Sequence, residues 1–222
     1  MTRKKGYMTF ELFAKILVQV EGMTLVLHHS GESFLHKELF DMIRYAKAKG
    51  FTVRLTTNGT MLDRDNYDIF RTGLDVLNIS LYDNADKITL AYIQRDLMKS
   101  NTKITVNSLN LKKLKTVLAD EKIYRPTISW SGRVDVKTRR RLKVYLRALL
   151  GKPLCQMSPG ILWDGTVVPC CFDFNGDLAL GNINRDSFER IWARRYKLQE
   201  IHKSFKKTKA HPICGPCRLE GK

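Results

Sequence analysis

The sequence predicts an α/β chain followed by a small cysteine-rich domain, and three observations carry that prediction. Five short apolar runs alternate with segments of helical periodicity between residues 23 and 132, the pattern of parallel strand–helix units. All five cysteines lie after residue 154. Five of the six prolines also fall in 151–222, so the character of the chain changes near Gly151. The expected organisation is a strand–helix domain over 1–150 and a compact domain over 151–222.

Each element has its own signal. Met8 to Val20 reads as a helix with Thr9 as N-cap, because Leu12, Phe13, Ile16, Leu17 and Val20 share one face. Gly22 ends it, and "MTLVLHH" (23–29) is a short apolar run like a buried strand. Residues 36–50 form a second helix with Leu39, Ile43, Tyr45 and Ala46 inward and Gly50 just past its end. Strands follow at 51–57, 74–82, 102–109 and 125–132, separated by helices at 63–73, 88–100 and 110–120. Beyond Gly151, "WDGT" (163–166) sits between two short apolar pieces and predicts a hairpin, and 185–205 predicts one helix.

Bulk composition narrows the class. No apolar run approaches the ~20 residues of a membrane span, and the N-terminus lacks the apolar core of a signal peptide. The expectation is a cytoplasmic protein without a membrane partner, whose cysteines serve as ligands or reduced thiols. The net charge is +17, and "VKTRRRLKVYLRALLGK" (136–152) carries seven basic residues and no acidic one. That stretch suits nucleic acid, an acidic peptide or phosphate. Leu142, Tyr145, Leu146 and Leu149 recur at helical spacing, however, so a solvated amphipathic helix is the favoured reading over a nucleic-acid partner.

The cysteines form the chemical signal. Cys155 precedes the hairpin and Cys170 follows it, so the turn can fold one back beside the other. Cys214 and Cys217 at the C-terminus complete a set of four thiolates. Such a set holds either a structural zinc or an iron–sulfur cluster, and ligand count does not separate them. Cys171, next to Cys170, would face the opposite side of a continuing strand.

The ordered pattern Cys155, Gly165, Cys170, then "LGNI" (180–183), "FERIW" (188–192) and "CGPC" (214–217) resembles the SPASM/Twitch extension of radical SAM enzymes. The resemblance implies an auxiliary [4Fe–4S] cluster on Cys155, Cys170, Cys214 and Cys217, with Cys171 spare. Residues 30–62 likewise resemble the second and third strands of a radical SAM domain. There a Gly-Gly-Glu-Pro motif holds the amino group of S-adenosyl-L-methionine, and a Thr-Asn-Gly follows the next strand. Ser30, Gly31, Glu32 and Ser33, then Thr57, Asn58 and Gly59, match those positions, and Ser80 matches a polar position of the fourth strand. The resemblance thus implies a partial (β/α) TIM-like barrel lacking its first strand, with Gly31, Glu32, Asn58 and Ser80 as cofactor-binding residues. Strand ends of a barrel converge on one mouth, which is where such residues belong.

One component of that family is absent. No cysteine precedes Cys155, so the Cys-x3-Cys-x2-Cys loop that holds the S-adenosylmethionine-cleaving cluster is not in this chain. The chain is expected to begin downstream of that loop, as a fragment or as a naturally shortened protein, and to be inactive alone with no catalytic side chain assigned. The first predicted strand is then expected to present an unpaired edge, and the chain to self-associate. The resemblance implies a peptide or small-molecule substrate, with a missing N-terminal segment or an electron donor as further partners. The alternative is a basic four-cysteine zinc module that binds nucleic acid.

Overall fold

The computed structural model describes residues 3–124 and 157–202, together with Lys207, Ile213 and Cys214. Two compact units divide the chain: Phe13–Pro126, and Met1–Leu12 together with Thr127–Lys222. The predicted strand at 125–132 and the basic segment at 136–152 lie outside the described residues.

In the first unit, helices and strands alternate around one sheet. The elements are α1 (Phe10–Leu17), β1 (Thr24–Leu27), α2 (Leu39–Ala48), β2 (Thr52–Thr57), β3 (Val76–Ser80), α3 (Ala85–Leu97), β4 (Lys103–Ser108), α4 (Leu111–Thr116) and β5 (Glu121–Tyr124). Strand order is β1-β2-β3-β4-β5 and every pairing is parallel. The sheet is open, with β1 at one edge and β5 at the other among the described residues.

The two sheet faces differ sharply. Val53, Leu55, Leu77, Ile79, Ile104 and Val106 share one face and are fully buried, as are Ile43 and Ala46 of α2 and Ile88 and Ala91 of α3. Burying each Leu or Ile stabilises the fold by ~1.5–3 kcal/mol before chain entropy is subtracted. The opposite face carries Arg54, Thr56, Asn78, Ser80, Lys103, Thr105, Asn107 and Glu121, aligned by the register Thr56↔Asn78↔Thr105↔Glu121 and Ser80↔Asn107.

Helix ends follow local chemistry. The Leu12 amide donates to Thr9 Oγ1 at 3.2 Å, as the N-cap expectation requires. The helix stops at Leu17, and looser turns carry the chain to Gly22 (φ +72°). At the end of α2, Gly50 adopts φ +82°, and the Phe51 amide reaches back to Ala46 O at 3.1 Å. The inward residues of α2 are Leu39, Met42, Ile43 and Ala46, while Tyr45, expected inside, is half-buried.

Two expectations change here, and one strand forms where none was expected. Strand β1 is not a buried strand: Val26 is 55% exposed, because the strand sits at the edge of the sheet among the described residues. Residues 64–71 form a 3-10 helix rather than an α-helix. The fifth described strand is Glu121–Tyr124, earlier than the apolar run at 125–132. Edge strands need fewer apolar side chains than central ones, so "EKIY" carries no strong strand signal.

In the second unit, β6 (Gly160–Ile161), β7 (Thr166–Val168) and β8 (Gly181–Asn182) form an antiparallel sheet in that order. The expected turn closes β6 onto β7, with the Leu162 amide donating to Thr166 O at 2.8 Å. Gly165 has φ +85°, which a side chain would strain. The single helix expected over 185–205 is two, α5 (Phe188–Ala193) and α6 (Tyr196–His202). The break falls at Arg194, whose guanidinium donates to Leu180 O at 3.0 Å and pairs with Asp186. Ser187 caps α5, and Phe188 stacks on Trp192 with ring centroids 6.1 Å apart. The N-terminal residues belong to this unit too: Arg3 pairs with Asp164, and Trp163 Nε1 donates to Lys4 O at 3.1 Å. Among the described residues, no helix is long and apolar enough to cross a membrane.

Candidate cofactor site

The C-terminal ends of β1, β2 and β3 are tied together by three side chains. Glu32 is the centre of the first tie. Its Oε1 accepts from Thr57 Oγ1 at 2.7 Å and from the Phe34 amide at 3.2 Å, and its Oε2 accepts from the Asn58 amide at 2.8 Å. The carboxylate therefore fixes the turn after β2 from the loop after β1. Three of its roughly four acceptor positions are used, which leaves one for a further donor.

Ser33 makes the second tie, its hydroxyl lying 3.0 Å from both Leu27 O and Thr56 O. A proline stands at this place in the motif that the sequence resembles. The serine instead bridges the last carbonyls of β1 and the neighbouring strand through one hydroxyl, so the departure has a structural function. The third tie is Asn84, which sequence reasoning missed. Its Nδ2 donates to Asn58 O at 2.8 Å and to Ser80 O at 3.3 Å, and its Oδ1 accepts from the Tyr82 amide at 2.9 Å. A polar residue just after a strand was the only signal for it, and that signal is common to many turns. Asn58 itself folds the next turn, accepting from the Thr60 amide at 2.8 Å and the Thr60 hydroxyl at 2.7 Å.

Two glycines shape this mouth in different ways. Gly59 (φ +73°) is buried, and a Cβ there would sit 2.3 Å from Asn84 Nδ2. Gly31 (φ +95°) is exposed, with nothing within 4 Å of where its Cβ would be. The backbone at Gly31 is thus open to close approach by a ligand. Beside it, burial pushes the His28 imidazole below its ordinary pKa, and the Glu32 carboxylate partly opposes that shift. The structure thus joins Glu32, Thr57 and Asn58 directly, and links Ser80 to Asn58 through Asn84. Such a cradle fits a ligand with an ammonium group: one carboxylate acceptor remains, amid carbonyls that end parallel strands.

The cysteines sit in the other unit. Cys170 and Cys214 are half-buried and Cys171 is exposed, while Cys155 and Cys217 lie outside the described residues. Strand β7 ends at Val168, so the difference between the adjacent cysteines arises in a turn and not from strand alternation. That turn is organised by Asp173, which is fully buried and accepts from the Asp177 amide at 2.8 Å and the Leu178 amide at 2.9 Å. Among the described residues, no three His, Cys, Asp or Glu side chains cluster as a metal site. Cys170 is half-buried, and a thiolate is the ligand type that a soft metal takes.

Comparison with known proteins adds three findings. Residues 155–218 match SPASM, described as an iron-sulfur cluster-binding domain. The chain is 31% identical over 83 residues to the tungsten-containing aldehyde ferredoxin oxidoreductase cofactor-modifying protein of Pyrococcus furiosus, covering 35% of this chain and 23% of that protein. It is 36% identical over 86 residues to the GTP 3′,8-cyclase of Chlorobaculum tepidum, covering 37% and 26%. The matched segments thus span about a quarter of each curated relative. Among solved structures, BtrN in complex with AdoMet and 2-DOIA has a TM-score of 0.67 at 17% identity, over 96% of this chain and 80% of that one. The structure of anSMEcpe with bound AdoMet and Kp18Cys peptide has a TM-score of 0.58 at 15% identity, over 95% and 80%. At these identities the shared property is the fold.

Proposed function

We propose that this chain, a radical SAM/SPASM-type protein, uses Cys155, Cys170, Cys214 and Cys217 to hold its auxiliary [4Fe–4S] cluster and Gly31, Glu32, Asn58 and Ser80 to seat S-adenosylmethionine. The work divides between a domain proposed over 1–150 and one proposed over 151–222, although residues 1–12 group with the second unit. The observation that carries the reading is the SPASM match, because it spans the four thiolates in one ordered pattern.

The chain's own residues define what each part does. Glu32 holds the turn at Asn58 through two of its hydrogen bonds and keeps an acceptor position for an ammonium group. Gly31 leaves room beside it for the backbone to approach that group. Ser80, half-buried at the end of β3, offers a hydroxyl on the same polar sheet face as Asn78. A bound auxiliary cluster supplies one-electron chemistry or a Lewis-acid iron. No cysteine precedes Cys155, so the residues in hand contain the scaffold and the auxiliary thiolates but not a second cluster loop. The substrate belongs to the peptide or small-molecule class, consistent with the ligands named for the two structural neighbours.

Anaerobic reconstitution with iron and sulfide tests this reading. The expected result is a brown protein with about four irons per chain and a broad absorbance near the thiolate-to-iron region. Isothermal titration should show S-adenosylmethionine binding that Glu32→Ala weakens. A colourless protein holding one zinc and no iron overturns the cluster assignment.

A further inference from the structure

The polar face of the sheet contains a hydrogen-bonded row that no part of the fold requires. Asn107 Nδ2 donates to Asn78 Oδ1 at 3.1 Å and to Ile79 O at 3.3 Å. Asn78 Nδ2 then lies 3.4 Å from Thr56 Oγ1. Three adjacent parallel strands are thus crossed by one chain of side-chain hydrogen bonds. Asparagine is disfavoured in strands, and the opposite face of these same strands is filled with Val, Leu and Ile. A face needed only for packing would be apolar.

The row has a fixed direction. The carbonyl of Ile79 can only accept, so Asn107 must turn its NH2 toward it. Asn78 must then present oxygen to Asn107 and nitrogen to Thr56. Among the described residues, this leaves three positions unfilled: an acceptor lone pair on Asn107 Oδ1, one N–H of Asn78, and the Thr56 hydroxyl proton. All three residues are half-buried. Unfilled hydrogen-bond positions in a partly desolvated row favour a ligand that completes them. Arg54, two residues before Thr56 on the same face, is exposed and acts electrostatically on the Glu121 carboxylate.

We propose that Thr56, Asn78 and Asn107 form the recognition floor for the substrate, and that it selects a polar group with an acceptor toward β2 and a donor toward β4. A hydroxyl beside an amine, or a peptide amide, has that chemistry, whereas a hydrocarbon chain does not. Thr56 and Asn78 lie two residues before Asn58 and Ser80, ~6–7 Å deeper along the strands than the mouth, and Asn107, in register with Ser80, reaches back from mouth level to Asn78. The inference rests on the reading above that this end of the sheet is the ligand side, but concerns separate residues.

The experiment titrates the full chain with two probes, the amino-polyol streptamine and N-acetyl-serine methylamide, and separately with S-adenosylmethionine. Asn78→Leu keeps the side-chain shape and removes the amide. Asn78→Asp keeps an acceptor for Asn107 and replaces the NH2 that faces Thr56 and the ligand with a charged oxygen, so it serves if the leucine variant does not fold. Both should weaken binding of the preferred probe by about tenfold and leave S-adenosylmethionine affinity within about twofold. The probe that binds identifies the substrate class as amino-polyol or peptide. Binding of neither probe by a chain that binds S-adenosylmethionine overturns the floor, as does equal binding by all variants. Probe binding sensitive to Asn78 without S-adenosylmethionine binding supports the floor and overturns the mouth assignment instead.

Discussion

The Asn84 carboxamide donates to the carbonyl oxygen of Asn58 at 2.8 Å, spanning from the turn after β3 to the turn after β2. Its second contact, to Ser80 O, and its acceptance from the Tyr82 amide make it a three-way tie at 8% exposure. Truncation would leave buried polar groups without partners, which costs more than the mean worth of a hydrogen bond. Asn84→Ala should therefore destabilise the chain by ~2–4 kcal/mol. Asn84→Asp should not rescue it at neutral pH, since a carboxylate oxygen would then face two carbonyls. Urea melts of the three proteins check this, and a wild-type midpoint for Asn84→Asp contradicts the donor assignment.

Gly59 is the complementary test of the same contact. Its φ of +73° and the 2.3 Å approach of Asn84 Nδ2 leave no space for a methyl group. Gly59→Ala should lower stability by at least ~1–3 kcal/mol from backbone strain alone. In the double variant Gly59→Ala/Asn84→Ala the clash with the carboxamide is gone, while the strain and the 2.9 Å approach to Ile79 Cγ2 persist. The second substitution should then cost less than it does alone, a coupling that a double-mutant cycle measures.

Acid sensitivity should develop in two stages. His28 has its pKa lowered by burial, with Glu32 opposing. The unfolded chain therefore takes up a proton before the folded chain does, and stability falls as pH drops below the ordinary histidine value of ~6.5. Asp120 behaves in a lower window. Burial would raise its pKa, but the Ile104 amide at 2.6 Å and the Arg95 guanidinium at 2.6 Å hold it below the usual carboxylate range. Its contribution is present above ~4 and is lost as pH falls through its folded value. Denaturation midpoints against pH should show both stages. His28→Leu should remove the first, and Asp120→Asn the carboxylate share of the second.

Much of this architecture was legible before any coordinates, because a parallel sheet with one packed face writes itself as short apolar runs. The strand cores at Val53–Leu55, Leu77–Ile79 and Ile104–Val106 are the buried alternate positions of those runs. Glu32, Thr57 and Asn58 were also legible, through a resemblance that fixed residue types at strand ends. What failed was local: β5, an edge strand among the described residues, carries polar residues, and the 3-10 helix at 64–71 has the same apolar spacing as an α-helix over so few residues. Asn84 and the row through Asn78 and Asn107 could not be read at all. Their meaning depends on which residues the register places side by side, and strand register is not a property of any one segment.

The cysteines give a direct metal test. Cys171 is exposed in the turn while Cys170 and Cys214 are half-buried. Cys171→Ser should retain iron after anaerobic reconstitution, whereas Cys170→Ser and Cys214→Ser should each lose most of it. Loss of a single thiolate ligand typically destroys a four-cysteine cluster site. Equal iron loss from Cys171→Ser and Cys214→Ser would sink the assignment of Cys171 as spare.

The N-terminal residues should control the hairpin that precedes Cys170. Arg3 pairs with the Asp164 carboxylate and also donates to Thr166 Oγ1 at 3.1 Å and Asn175 O at 3.2 Å. Asp164 is the hinge of the turn: its Oδ1 accepts from the Thr166 amide at 3.1 Å, and its carbonyl accepts from Asn182 and Asn184. Burial would raise the Asp164 pKa, but the Thr166 donors and Arg3 hold it below the usual range. Gly6 lies flat against Trp163, where a Cβ would come within 2.5 Å of the indole ring. One strap of residues 3–6 thus touches the turn, the loop at Asn175 and the indole at once. An exposed ion pair alone contributes at most ~1 kcal/mol, but this guanidinium also satisfies two neutral oxygens, so Arg3→Ala should cost ~1–2 kcal/mol. Gly6→Ala should act on the same strap through sterics, shifting Trp163 fluorescence without changing charge. Deleting residues 1–6 combines both losses, and the reconstituted protein should then release iron faster at fixed temperature than the full chain. An unchanged iron-release rate and an unchanged melting temperature after that deletion would show that the strap follows the hairpin rather than holding it.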